Sequence, residues 1–387
     1  MTSIVIRGNA LGLPLADNSV DLICTSPPYF SLRSYQDGGE HYAGQLGSEP
    51  TPAEFVAALV AATREMMRVL KPSGSIFVNL GDKYAPTKSL MLIPERYRIA
   101  CVDELGLIAR AVIVWDKPNG LPESVRDRVR RSHEDWVHFT KEPRYFSAVD
   151  EVREPVMFPN QARTMGDSAN GGKHSGVLHK RQDGGANLLG KLPGSVWRIA
   201  TQPLTVPASL GIDHFAAFPM EWPRRIIKGW SPREVCTACG QGRSAVWKDV
   251  GLSTYGQLKA AGKMTYGNAH EGNGSEPGNT GQTKNARGTS VTYEAKRREV
   301  TGYDCACPDT TAPTTPSVVL DPFGGTGTTA LIASVLGRQG ISVDMSADYC
   351  LLATWRTTDR GQIASAMQVE KPEPVDEAQY GLFGDAA

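Results

Sequence analysis

No run in this chain approaches the roughly 20 consecutive apolar residues that a membrane-spanning helix needs. Met1-Thr2-Ser3-Ile4-Val5-Ile6-Arg7 enters a strand-like run directly rather than a secretory signal. Both absences point to a soluble, cytoplasmic protein with no membrane partner. A surplus of one charge is missing too. Lys plus Arg and Asp plus Glu number 41 each, so the overall charge announces no polyanionic partner. No internal repeat is present, which excludes a solenoid, and a chain of cytosolic character excludes a disulfide framework for its seven cysteines. With 387 residues the chain can bury a large α/β core with insertions, or two domains.

Charge is unevenly spread. From Arg224 to Val300 thirteen Lys/Arg stand against six Asp/Glu, which suits phosphate contacts if they share one face. A polar loop with no ligand would have the same composition. Two stretches, about Pro155 to Gln202 and Gly251 to Arg298, lose hydrophobic periodicity and read as insertions on a sheet, the second with Tyr255, Tyr266 and Tyr293 interleaved. Around them the pattern is regular. Strands are expected at Ser3–Arg7, Val20–Thr25, Ser75–Leu80, Ile108–Trp115, Trp136–Thr140, Val318–Leu320 and up to Val343-Asp344. Thr51-Pro52-Ala53-Glu54 is a capping box opening a helix to about residue 70, which Lys71-Pro72-Ser73-Gly74 should end. A second helix is expected from about Thr328 to Leu336. Strand, helix and strand in succession make an α/β fold with a doubly wound, mostly parallel sheet.

Two of these strands run into loops with chemistry. The first ends in Ser26-Pro27-Pro28-Tyr29. An exocyclic amino group on cytosine or adenine is a poor nucleophile because its lone pair is delocalised into the ring, and two acceptors aimed at its hydrogens would restore that lone pair. The Ser26 oxygen and the Pro27 carbonyl are suited to this, Pro28 stiffens the loop, and Tyr29 offers a face for a flipped base. An ordinary extended Pro-Pro turn is the plain alternative. The second loop, Asp321-Pro322-Phe323-Gly324-Gly325-Thr326-Gly327-Thr328-Thr329, lacks the Lys of a Walker-type phosphate loop. Asp321 would repel a phosphate but attract the ammonium of a cofactor such as S-adenosylmethionine. Asp344, at the end of the next strand, can accept from ribose hydroxyls.

These motifs resemble the DNA amino-methyltransferases of bacteria and their phages, in the permuted arrangement called the beta class. The likeness covers most of residues 1–145 and 205–355 and rests on TSPPY and DPFGGTGTT. It implies a Rossmann-like methyltransferase fold, circularly permuted, with the catalytic half (1–150) before the cofactor-binding half (211–360). A target-recognition insertion is expected over 151–210, a Cys-bracketed one over 236–307, and a disordered tail over 371–387. By the same resemblance Ser26, Pro27, Pro28 and Tyr29 are catalytic. Asp321, Phe323, Gly324, Gly325, Thr326, Gly327, Thr328 and Asp344 hold S-adenosylmethionine, with Asn9 and Ala10 near its adenine and Phe218, in His214–Pro219, entering the pocket. Relatives commonly carry Asp where this chain has Asn9. Lys117, Asn119, Arg126 and Arg128 resemble a segment near the DNA, although such a basic run is also a common solvated face. The partner implied is double-stranded DNA, with a cognate restriction endonuclease and the oligomeric state left open. Ser at the first catalytic position resembles the cytosine-N4 branch; adenine-N6 methylation, methylation of RNA or protein, and a DNA-binding module without catalysis are the alternatives.

Cys236-Thr237-Ala238-Cys239 and Cys305-Ala306-Cys307 could form one structural Zn site of four thiolates at the base of the second insertion. Reduced free thiols are the alternative. Cys24, Cys101 and Cys350 lie in apolar runs and are expected in the core.

Overall fold

The computed structural model describes residues 3–31, 44–120, 122–155, 189–212, 217–250, 298–307, 309 and 311–370, with the backbone of 36–37, 40–41, 282–284, 290–292 and 297. The expectations for Tyr255, Tyr266, Tyr293, His214 and the 371–387 tail lie outside these residues. The chain divides into a main unit, within Met1–Val149, Gly194–Arg243 and Cys305–Ala387, and a second unit within Asp150–Pro193 and Ser244–Asp304. No described helix is long and apolar enough to cross a membrane.

The main unit is built on one eight-stranded sheet. Its elements in chain order are β1 (Ile4–Arg7), β2 (Val20–Thr25), α1 (Pro52–Val69), β3 (Leu70–Leu80), α2 (Ile93–Leu105), β4 (Ile108–Asp116), β5 (His133–Thr140), β6 (Val196–Arg198), α3 (Glu221–Trp230), β7 (Glu234–Cys236), β8 (Thr314–Pro316), β9 (Val318–Asp321), α4 (Thr328–Val335), β10 (Gln339–Asp344), α5 (Ala347–Thr358) and α6 (Arg360–Met367). The sheet runs β1-β10-β9-β2-β3-β5-β4-β6. Only β5 is antiparallel to its neighbours; the other pairings are parallel. From β9 the chain winds through α4 toward β10, and from β2 through α1 toward β3 in the opposite direction. The seam between β9 and β2 is therefore the topological switch point, where the carboxyl ends of the strands open a crevice.

Both faces of the sheet are buried, as a parallel sheet requires. Ile23 packs with Phe55, Leu59, Met66, Val78 and Phe139 on one face. Its neighbours Leu22 and Cys24 point to the other, against Phe77, Ile226, Ile227, Leu331 and Ile332. This alternation is the period of two of a strand. The second core gathers three tryptophans around Trp222: Trp136 stacks on it at 4.9 Å, Trp197 stacks at 5.0 Å, and Trp115 meets it edge-on at 5.8 Å. Each such pair contributes roughly 0.5–1.5 kcal/mol beyond area burial. Of the cysteines expected in the core, Cys24 and Cys101 are buried and Cys350 is half-buried.

The capped helix is present as read, with the Thr51 side chain accepting from Glu54 N at 3.2 Å. Three boundaries differ. The segment Lys71–Gly74 does not separate helix from strand: Leu70 already pairs with Val20, and the register then shifts to Leu22 opposite Ser75, so β3 absorbs those residues as an irregularity. The insertion expected over 151–210 ends earlier, because the main unit resumes at Gly194 and β6 lies parallel to β4. Three residues carry no period, but Trp197 is 2 % exposed in the tryptophan cluster and anchors the strand. The Cys-bracketed insertion is likewise narrower than 236–307: Cys236 belongs to β7, paired with β8. In the second unit, Ser244–Val250 pairs antiparallel with Arg297–Asp304.

Candidate active site

The two motif loops meet at the switch point. Val319 and Leu320 pair with Leu22 and Ile23, so loops almost three hundred residues apart in sequence leave neighbouring strands at the same end of the sheet. They border a cleft of about 1040 Å3 lined by Ser26, Pro27, Pro28 and Tyr29 from the first and by Phe323, Gly324, Gly325, Thr326 and Thr328 from the second, with Asn9, Ala10, Phe218 and Asp344. Small-molecule sites span roughly 300–1000 Å3. This cleft has room for a nucleoside cofactor and an extruded base together.

Asp321 is not part of that lining. It is 1 % exposed. Its Oδ1 accepts from Thr25 Oγ1 at 2.6 Å and Phe323 N at 3.2 Å, and its Oδ2 accepts from Thr329 Oγ1 at 3.0 Å. Burial raises its pKa from 3.8 to about 6 against the lowering effect of those donors. These bonds fasten the last residue of β2 to the start of α4 behind the loop. Thr326 and Thr328 are also held from behind: Arg356, 3 % exposed, donates Nη1 to their hydroxyls at 2.6 and 2.7 Å. Those bonds fix the loop's shape where both residues line the cleft. Gly327, absent from the lining, has φ +74° and lies where a Cβ would come within 2.9 Å of Ala353 Cβ. Facing the cleft, Asp344 accepts from Gly325 N at 2.9 Å and Ser346 N at 3.0 Å. Asn9 is exposed, and its Oδ1 accepts from Leu11 N at 2.9 Å in a local turn.

The Ser26–Tyr29 loop is supported by residues that no motif in the sequence marks. Asn79, at the carboxyl end of β3 and 1 % exposed, places Oδ1 at 3.4 Å from Ser26 Oγ and 2.8 Å from Tyr29 Oη. Its Nδ2 donates to Asp135 O at 3.2 Å, which fixes the amide's orientation. The Tyr29 hydroxyl also lies 2.8 Å from Glu134 Oε2, so one proton serves two acceptors. Glu134 in turn is ion-paired with Lys117, whose Nζ sits 4.1 Å above the Trp115 ring. Because β5 runs antiparallel, its amino end delivers Glu134 to the crevice. Gly81 leaves the space that the Tyr29 ring fills; a Cβ there would be 2.6 Å from Tyr29 Cε2. A polar Asn closing a buried apolar strand was the available sequence signal. Glu134 offered none.

Residues 20–236 and 311–354 match the model of the N6/N4 methyltransferase family, described as DNA methylase. The chain belongs to this family of DNA amino-methyltransferases. It is 34 % identical over 255 residues to the type II methyltransferase M.XycI of Xanthomonas campestris pv. cyanopsidis, covering 58 % of this chain and 71 % of the relative. To M.Cfr9I of Citrobacter freundii it is 31 % identical over 252 residues, covering 58 % and 71 %. Among solved structures the PvuII DNA methyltransferase, cytosine-N4-specific, superposes with a TM-score of 0.53 at 17 % identity over 95 % of this chain and 92 % of that one. That likeness is one of fold: the methyltransferase α/β sheet.

Of the methyltransferase's expected DNA contacts, Lys117 and Asn119 line the cleft, and so does Arg128; Arg126 is exposed and does not. Lys117 is committed to Glu134. Asn119 exchanges two bonds with the backbone of Thr201, at 3.3 and 2.8 Å. Arg128 is ion-paired with Glu123 and lies 3.6 Å above the Tyr84 ring. These contacts order the cleft rim. The Cys236, Cys239 and Cys305 sulfurs lie within 4.8 Å of one another; Cys307 is not in that group.

Proposed function

We propose that this chain methylates an exocyclic amino group of a base flipped from double-stranded DNA, with cytosine N4 as the target and S-adenosylmethionine as the methyl donor. The observation that carries this reading is the convergence of the Ser26–Tyr29 loop and the glycine loop on one cleft at the switch point. The cofactor half of the cleft suits that donor: Asp344 presents acceptors for ribose hydroxyls, Phe323 an aromatic face, and the glycine loop a close backbone approach. When bound, the cofactor supplies an activated methyl group. The chain's own residues prepare the nucleophile. To accept from an amino hydrogen, Ser26 must send its own proton elsewhere, and Asn79 Oδ1 is the acceptor in place. At 3.4 Å that contact is longer than a formed O–H···O bond, and substrate binding tightens it. The Pro27 carbonyl takes the second amino hydrogen. Tyr29, held at its hydroxyl by Asn79 and Glu134 and at its ring by the gap at Gly81, stacks on the base.

The relatives' names, type II methyltransferases, support action at a defined recognition site, with a cognate restriction endonuclease as cellular partner. Residues 1–150 act as the catalytic half and 211–360 as the cofactor half, and the excursions 150–193 and 244–304 are the segments assigned to target recognition. Adenine N6 is the second reading, since adenine presents the same amino group beside a ring nitrogen. Sequencing of DNA from an expressing host, with chemical identification of the modified base, tests both. N4-methylcytosine supports the assignment, N6-methyladenine replaces it with the second reading, and unmodified DNA with active cofactor binding removes both. In the same assay Ser26→Ala should lose about 100-fold or more in turnover with cofactor affinity unchanged.

A further inference from the structure

Outside the cleft, the main unit carries a second cluster of chemically competent side chains. Cys236 ends β7, and the chain then turns back on itself: Gly240 N donates to Cys236 O at 2.9 Å, Cys236 N donates to Gln241 O at 2.9 Å, and Gly240 has φ +71°. This tight knuckle brings Cys239 back toward Cys236. The sulfurs of Cys236, Cys239 and Cys305 gather within 4.8 Å, with 3.7 Å between Cys239 and Cys305. Three cysteine sulfurs gathered at this spacing beside a tight knuckle match the donor set of a thiolate metal site.

We propose that Cys236, Cys239 and Cys305, completed by Cys307, bind one structural Zn2+ as a tetrahedral four-thiolate site. Cys307 is two residues from Cys305 and half-buried, which makes it the candidate fourth ligand. The site is not catalytic: four thiolates leave no position for water, and none of the four cysteines lines the cleft. Its place explains its purpose. The chain leaves the main unit at Arg243 and returns at Cys305, so the ion ties the outgoing and returning ends of the long excursion to the paired strands β7 and β8. Closing a loop of that length removes conformational entropy from the unfolded chain.

The test uses the full chain, purified under reductant without an affinity-tag metal. Elemental analysis should find about one zinc per chain that survives dialysis against EDTA, and Cys239→Ser and Cys305→Ser should each lose it. Because those variants could fail to fold, cobalt replaces zinc in the unaltered protein. The expected result is thiolate-to-cobalt charge transfer with tetrahedral d–d bands, the charge-transfer intensity falling by about a quarter in Cys307→Ser. Metal removal should lower the melting temperature and leave cofactor affinity within about twofold. A metal-free chain whose cysteines all titrate as reduced thiols, a Cys239–Cys305 disulfide, or cobalt spectra without thiolate bands overturns the proposal. Unchanged cobalt spectra in Cys307→Ser overturn the four-thiolate site.

Discussion

Replacing Asp321 with Asn should stabilise this methyltransferase at neutral pH while leaving cofactor binding intact. The carboxyl is buried, and its pKa stands at about 6 against an ordinary 3.8. That difference corresponds to about 3 kcal/mol as an upper figure. A carboxyl raised in the folded state contributes stability that is present in full below 3.8 and is lost as pH climbs through about 6. At pH 7.5 the cost of the buried charge is therefore complete, and the Asn variant avoids it. The amide also fits the bonds. Thr329 Oγ1 can donate to Cys24 O, 3.0 Å away, and accept from the new Nδ2, while the new carbonyl keeps Thr25 Oγ1 and Phe323 N. Urea titrations of both proteins across pH 4–8 should show a difference of about 1–3 kcal/mol at the alkaline end that shrinks toward zero at the acid end. His138, lowered to about 3 by burial, has the opposite sign, losing stability as pH falls below its ordinary 6.5, but it is common to both proteins and cancels in the difference. Isothermal titration with S-adenosylmethionine completes the test. An Asn variant destabilised equally at all pH values, or one that loses about tenfold or more in cofactor affinity as a broken charged bond would cause, would refute the clamp and restore Asp321 as a cofactor ligand.

Gly81→Ala puts a methyl group 2.6 Å from Tyr29 Cε2, so the ring must shift; turnover should fall about tenfold or more while cofactor affinity holds, measured by single-turnover methylation. Asp344→Ala removes the acceptor of Gly325 N and Ser346 N and should weaken cofactor binding by about 1.5 kcal/mol or more in calorimetry, with DNA affinity unchanged by gel shift. Arg356→Met keeps the buried volume but frees the Thr326 and Thr328 hydroxyls; it should raise the cofactor Kd by about tenfold, with turnover at saturating cofactor within about threefold, as expected for a residue that positions the loop.

The site was partly legible before any coordinates. A buried apolar strand ending abruptly in prolines or glycines announces a loop that the fold has not used for pairing, and both such loops proved to line the cleft. What the pattern could not carry was direction. Asp321 reads as a charged residue beside a glycine loop and so as a ligand. Its oxygens are instead taken by Thr25 and Thr329, one of them from a strand almost three hundred residues earlier. Lys117 and Arg128 read as part of a segment near the DNA, and the pattern could not show that Glu134 and Glu123 pair with them at the cleft rim. Asn79, Glu134 and Arg356 had no motif around them.

Local chemistry was therefore enough for the elements: the capped helix at Thr51, the period-two burial of Val20–Thr25, and the loops that follow two strands all depend on neighbours within a few residues. Adjacency was not. A hydrophobic period says that Ile23 must be buried but not that Leu320 lies beside it, and it says nothing of a three-residue strand held by Trp197. Those facts came from the order β10-β9-β2-β3-β5-β4-β6, which the sheet adopts because both of its faces must be covered and each strand must find a ladder partner. The cleft exists only where that order reverses, so the chemistry of each loop was written locally and their meeting was settled by strand pairing across the whole chain.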